Sequence, residues 1–267
     1  TPLYSSAASD VYKRQIVNST GGLRKLGAGV LQLSAQSHFA SGFEVAAGGL
    51  RNGVLNAGSR FSALTIASGA RYDLNNFSTT WGSLAGGGDI FNSFLVGGRP
   101  QVAPTLSVGW NGDSTIFSGR LQRFNDAVMF NFTKVGAGTL TMTRAQDASG
   151  SYGMISVQGG TLRYADAGRA FVATATQVSG LTVSGNGTLF LDNSGSNVDS
   201  RLGLAAAGVL TLQGGLFRIL GNASADTVEQ VDLLRVVNAG GRIELEPHGS
   251  RSLDLVLGDF SVPNNSG

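Results

Sequence analysis

Apolar residues recur at every second position over short runs in this chain, and glycines separate the runs. Between Thr139 and Thr143, Leu140 and Met142 share one side, while Thr139, Thr141 and Thr143 share the other. Between Thr161 and Tyr164, Leu162 and Tyr164 face one way, Thr161 and Arg163 the other. A period of two is that of a half-buried strand. Gly136 and Gly138 precede the first run and Gly159-Gly160 the second. Without a Cβ, these positions can adopt positive φ and turn corners. The stretch Lys134–Tyr164 therefore reads as strand, corner, strand, corner, with Leu140, Met142, Leu162, Leu189 and Leu191 expected in the core and Thr139, Thr141 and Arg163 outside it.

The same pattern stands earlier in the chain. Lys25–Ser34 aligns with Lys134–Thr143 at an offset of 109, and Gly48-Gly49 aligns with Gly159-Gly160 at an offset of 111. Gly214-Gly215-Leu216-Phe217-Arg218-Ile219 is a partial third copy, with Phe217 and Ile219 in the inward places of Leu162 and Tyr164. Repetition of a strand-corner unit is the signature of a solenoid.

The run K-x-G-A-G-T-L-T-x-T, followed by a polar connection and x-V-x-G-G-T-L, resembles the autotransporter-associated β-strand repeat of bacterial surface proteins. Segments such as Ala70–Phe77, Gly82–Gly88, Thr105–Gly109 and Thr115–Gly119 resemble the rungs between repeat cores. Two departures are Val30, in place of the core Thr, and Leu50-Arg51-Asn52-Gly53, a degenerate strand after the double glycine. The resemblance implies an all-β fold, a right-handed single-stranded parallel β-helix of roughly 11–12 turns at about 20 residues each. It also implies export through the cell envelope and an extracellular, outer-membrane-associated location, in a passenger-type secreted or surface protein. It supplies no catalytic residues.

Taken in order, residues 1–15 fall outside the pattern and read as a non-native adapter or a linker. Residues 16–262 read as one solenoid with repeat cores near 25–56, 134–164 and 209–220, and 263–267 as a polar tail. Strands are expected at Ala63–Ile66, Tyr72–Leu74, Ile90–Val96, Thr105–Val108, Thr115–Phe117, Val128–Phe132, Leu181–Leu191, Val209–Leu220, Ala225–Val237, Gly240–Leu245 and Leu253–Leu257. Gly119–Ala127 supports a helical turn at most, and Phe171–Thr176 reads as a connector. Ala85–Pro104 and Asn193–Ala206 are the longer excursions, where a rigid scaffold would carry binding surfaces.

Composition narrows the chemistry. Forty of 267 residues are glycine, about twice the number expected at roughly 7% usage. Only 13% are charged, about half the usual share, yet the regular apolar pairs exclude a disordered chain. Cysteine is absent, which excludes disulfides and thiolate chemistry; a stacked core does not need staples. A net charge of +2 with scattered basic residues excludes a nucleic-acid footprint.

The candidate chemical groups are sparse. His38 and His248 stand in different repeats and read as solvated loop residues. Gly86-Gly87-Gly88-Asp89 resembles a calcium-binding β-roll motif but occurs once, where ion sharing needs iteration; it reads as a flexible corner. Asp73, Asp113, Asp126 and Asp192 stand singly. Glu244 and Glu246 point to one side of a strand and read as a charged edge rather than an acid pair. The aromatics of the first half, Phe43, Phe61, Tyr72, Phe77, Trp81, Phe91, Phe94, Trp110 and Phe117, suit either interior stacking or a sugar-binding groove. No catalytic, cofactor-binding or metal-ligating residue is assigned. The expectation is a non-enzymatic stalk or adhesive segment without cofactors, not itself membrane-spanning, whose parent protein is anchored or exported and whose partners are surface glycans or proteins of host or neighbouring cells. The alternative is a carbohydrate-binding or polysaccharide-degrading β-helix.

Overall fold

The computed structural model of the chain describes residues 21–93, 103–123, 130–145, 153–170, 180–237 and 240–263. The N-terminal stretch, Phe94, Asp126 and the Phe171–Thr176 connector lie outside them. Among the described residues all regular structure is strand. The first three turns carry two strands each: β1 (Leu23–Lys25) and β2 (Val30–Leu33), β3 (Phe43–Val45) and β4 (Gly49–Asn52), β5 (Ala63–Ile66) and β6 (Arg71–Asp73). The next two carry three each: β7 (Thr79–Trp81), β8 (Ser83–Gly86) and β9 (Asp89–Asn92), then β10 (Thr105–Val108), β11 (Thr115–Phe117) and β12 (Leu121–Arg123). Then follow β13 (Asn131–Lys134), β14 (Thr139–Met142), β15 (Met154–Tyr164), β16 (Gly180–Asp192), β17 (Leu204–Gln213), β18 (Leu216–Leu220), β19 (Thr227–Val236), β20 (Arg242–Glu246) and β21 (Leu253–Ser261).

Each strand pairs in parallel with its counterpart one turn away, and the pairing forms three ladders. The longest begins Leu23, Phe43, Leu64, Leu84 and ends Leu140, Leu162, Leu189, Phe217, Ile243. A second starts at β7 and runs through β10 and β13 into β15 and β16. The third, β2-β4-β6-β9-β12, belongs to the N-terminal half. β15 and β16 are long because each rounds the corner that separates β13 from β14 in the turn before, joining the first two ladders into one sheet. This is a parallel β-solenoid, as the alternation implies.

Steps along the long ladder are 20, 21 and 20 residues at the start, but 27 and 28 from Leu162 to Leu189 to Phe217. The turns are therefore fewer and longer than the eleven or twelve expected. Longer strands and the excursion after Asp192 take up the added residues. Two element expectations also change. Leu121–Arg123 of the expected helical turn is strand, paired with Ile90–Asn92. The strand placed at Val128–Phe132 is β13, beginning at Asn131.

The inward residues stack as one continuous core. Leu140, Met142, Leu162, Leu189 and Leu191 are all buried, as expected, while Thr139 and Arg163 are only partly covered. Thr141 is a correction: it is buried on the outer face, between Ile116 and Arg163 of the adjoining turns. A threonine between two larger outward side chains loses its water without facing the core.

Backbone pairing also corrects the repeat alignment. Val30 stands opposite Gly49, and the matching Thr139 stands opposite Thr161. Gly49 therefore matches Thr161, the offset is 112 rather than 111, and Gly48 (φ 71°) matches Gly160 (φ 57°). A Cβ on either would lie 2.4 Å from a corner carbonyl of the preceding turn. Sequence alignment favours glycine over glycine; the corner needs only one.

Candidate functional site

The second ladder begins at β7, so the earlier turns present loops on that side of the solenoid. Those loops leave an open cleft of about 710 Å³. The first turn contributes Gln36 and His38, the next Asn56, Ser59, Arg60 and Phe61, β7 contributes Thr80, and the loop after β10 contributes Trp110. Backbone bonds from Ser37 N to Ala57 O (3.1 Å) and from Asn56 N to Ser78 O (2.8 Å) fix the loops at the spacing of the strands. Gly58 allows close approach, since a Cβ there would meet the Trp81 ring at 2.5 Å.

Some aromatic residues of the first half serve the core, and two border this cleft. Phe39, Phe43, Trp81 and Tyr72 form an interior chain of edge-to-face contacts. Trp81 Nε1 donates to the Tyr72 hydroxyl (3.0 Å), which donates to Asn52 Oδ1 (2.9 Å). Burial pushes the Tyr72 phenol up to about 12. Phe61 and Trp110, in contrast, are 58% and 52% exposed. The Arg60 guanidinium lies 4.7 Å from the Phe61 ring centroid. His38 meets the Phe61 ring edge to face, with Nδ1 2.9 Å from Ser59 Oγ. His38 is a loop residue, as expected, though half-buried and bonded; His248 is exposed.

Those acids singled out in the sequence that are described are not gathered into a site. Asp73 accepts from Arg51, from the backbone N–H of Asn75 and Ser93, and from the Ser93 hydroxyl. Asp113 is held by Asn111. Burial alone would raise the Asp192 carboxyl, but bonds from Ser194 and Arg163 outweigh it and hold it below the usual range. Glu246 takes a bidentate bond from Arg218 at 2.6 and 2.8 Å, while Glu244 pairs with Arg242. Those two glutamates are therefore a charged edge. Gly86–Gly88 is a corner packed on Ile66 of the preceding turn, and Asp89 beside it pairs with Arg120. No group of three potential metal ligands occurs among the described residues.

The first of the two excursions is partly strand. Ala85–Asn92 belongs largely to β8 and β9, and residues 94–102 lie outside the described set. Asn193–Ala206 is tied down by Arg201, which is fully buried. Its guanidinium donates to Asn193 Oδ1 and to the carbonyls of Asp166, Gly168 and Ser196. The buried Glu229 accepts the backbone N–H groups of Arg201 and Leu202 at 2.7 and 3.0 Å. Burial raises the Glu229 carboxyl to about 7 and draws the Arg201 guanidinium down to about 10.

Sequence reading also missed the lysine that opens each repeat. Lys134 occupies an inward ladder place between Val108 and Val157. Its ammonium turns back to the carbonyls of Val135, Gly136 and Gly159. Lys25 does the same with Gly27 and Ala47, which match Gly136 and Gly159 at the two offsets. The model of the passenger-associated-transport-repeat matches residues 23–51 and 132–163, the two segments these lysines clamp. The chain carries passenger-associated-transport repeats.

The repeats sit in a chain similar to a large relative. Over 209 residues, or 76% of this chain, it is 32% identical to the adhesin BmaC autotransporter of Brucella suis biovar 1 (strain 1330). The match spans 6% of that protein's length. No solved structure matches. Among the described residues no helix is long and apolar enough to cross a membrane.

Proposed function

We propose that this chain is a non-enzymatic adhesive segment of a bacterial surface or secreted protein, a rigid β-helical stalk spanning residues 16–262. The observation that supports it best is the similarity of three quarters of the chain to part of an autotransporter adhesin. The chemistry of the repeats agrees. Leucines and valines fill ladders, glycines and lysines form corners, and the sequence-flagged acids that are described each have a structural partner. Catalysis would need polar groups converging on one reacting atom. The polysaccharide-degrading alternative finds no support in the cleft, where no described lining residue is a carboxylate, whereas glycoside hydrolysis uses two. On this reading the parent protein is outer-membrane-associated and meets glycans or proteins on host or neighbouring cells. Beads coated with the purified chain test it: they should adhere to cell surfaces more than beads coated with the heat-unfolded chain. Equal adhesion of the two would overturn the reading.

A further inference from the structure

The cleft beside Trp110 brings exposed aromatic rings together with an arginine that has no carboxylate partner among the described residues. Aromatic side chains that serve the core are buried here: Phe43, Tyr72, Trp81 and Phe117 are each 2% exposed or less. Phe61 and Trp110 are over half exposed and border the same cleft, where their rings do little for the fold. A sugar ring has one face of C–H bonds that lies well on such a ring, and its hydroxyls need planar amides and small hydroxyls at the rim. Gln36 and Asn56 supply the amides from adjacent loops, and Thr80 of β7 the hydroxyl.

Charge narrows the ligand. Arg24, Arg51, Arg120, Arg163, Arg218 and Arg242 each pair with a carboxylate of the chain. Among the described residues no carboxylate pairs with Arg60, nor with Arg71, Arg235 or Arg251; of these four only Arg60 lines the cleft, where no described carboxylate stands. The Arg60 guanidinium is instead held over Phe61, at the wall of the cleft. A guanidinium fixed in this way is suited to a planar carboxylate, which it can bind through two parallel hydrogen bonds.

We propose that the cleft binds a glycan carrying a carboxylate, with the sugar ring on Trp110 and the acid on Arg60, which Phe61 supports. This rests on the adhesive reading above and gives it a ligand class. The stacked loops are anchored to a solenoid, so the site is held open before the ligand arrives, which lowers the ordering cost of binding.

The test is titration of the whole chain with an oligogalacturonate, a hyaluronan oligosaccharide and sialyllactose, against methyl-esterified galacturonate and lactose. Trp110 fluorescence and calorimetry provide the readouts. At least one acidic saccharide should saturate the site. Arg60→Gln should weaken it by about tenfold or more and remove the preference over the neutral counterpart. Trp110→Ala should abolish binding with an unchanged circular dichroism spectrum. No saturable binding by any acidic probe, or binding indifferent to both substitutions, overturns the proposal; so does a preference for neutral sugars. The bead assay separates the two readings. Beads that still adhere after Arg60→Gln and Trp110→Ala would leave the adhesive reading standing and remove the cleft as its ligand site. Adhesion lost in step with saccharide binding supports both.

Discussion

The ammonium of Lys134 donates to the carbonyl oxygen of Gly159, 25 positions further along the chain, at 3.1 Å. It also donates to Val135 O and Gly136 O, so one side chain satisfies the corner of its own turn and that of the next. Burial lowers its pKa to about 8. Lys134→Met keeps most of the volume but withdraws the donors. The expected cost is about 1–3 kcal/mol, read as a shift in urea midpoint. Lys25→Met removes the equivalent clamp on the half-exposed first rung and should cost less.

The corrected repeat offset can be tested at the double glycine. Gly160 has φ 57°, and a Cβ there would lie 2.4 Å from both Gly136 O and Gly138 O. Gly159 has no positive φ in the structure, and its nearest atoms would be 3.2 Å away. Gly160→Ala should therefore destabilise by roughly 2 kcal/mol or more, and Gly159→Ala by about 1 or less. A larger loss at Gly159 would support the alignment at 111, and equal losses would contradict the one at 112.

Core and outer face should respond unequally. Leu140→Ala opens a cavity in the stacked ladder and should cost about 2–5 kcal/mol. Thr141→Ala, one residue on, should cost under about 1 kcal/mol despite its burial, because Thr141 is covered by neighbouring side chains rather than by the core. Thermal melts of the two variants give the comparison.

Glu229 should give the stability curve a pH dependence. Its folded pKa is raised from 4.5 to about 7, chiefly by burial, with the bonds from Leu202 and Arg201 opposing. An acid whose folded pKa is raised binds its proton more tightly when folded. Its contribution is therefore full below about 4.5 and is lost as pH rises through about 7. Replacing it with Gln leaves no group to titrate, so the fall in stability between pH 4.5 and 7 should be smaller in Glu229→Gln than in the parent chain. Denaturation series at several pH values in that window provide the check.

Much of the fold was legible in the residues. Alternation in Thr139–Met142 and Thr161–Tyr164 gave the ladder faces, because burial on a pleated strand follows a period of two. The pairing partner of each strand, the lengthening of turns after Leu162 and the burial of Thr141 were not legible. They depend on which side chains stand one turn above and below. The lysine of the repeat reads as an exposed charge until its ammonium is seen to turn back on three carbonyls. Arg201 likewise reads as part of a polar excursion, although four carbonyl oxygens from two segments, 166–168 and 193–196, converge on it. Of the cleft, the aromatic surplus in the first half was visible. Which rings face inward was not, because Phe61 and Trp110 lie in loops that lack the strand period.

Binding without turnover is expected of this chain, and one measurement addresses it directly. The purified chain is passed over immobilised plant, algal, bacterial and animal polysaccharides, and both retained protein and newly released reducing ends are quantified. Retention on at least one surface with no release of reducing ends is the expected result. Release that depends on the folded chain, or no retention on any surface, would contradict it.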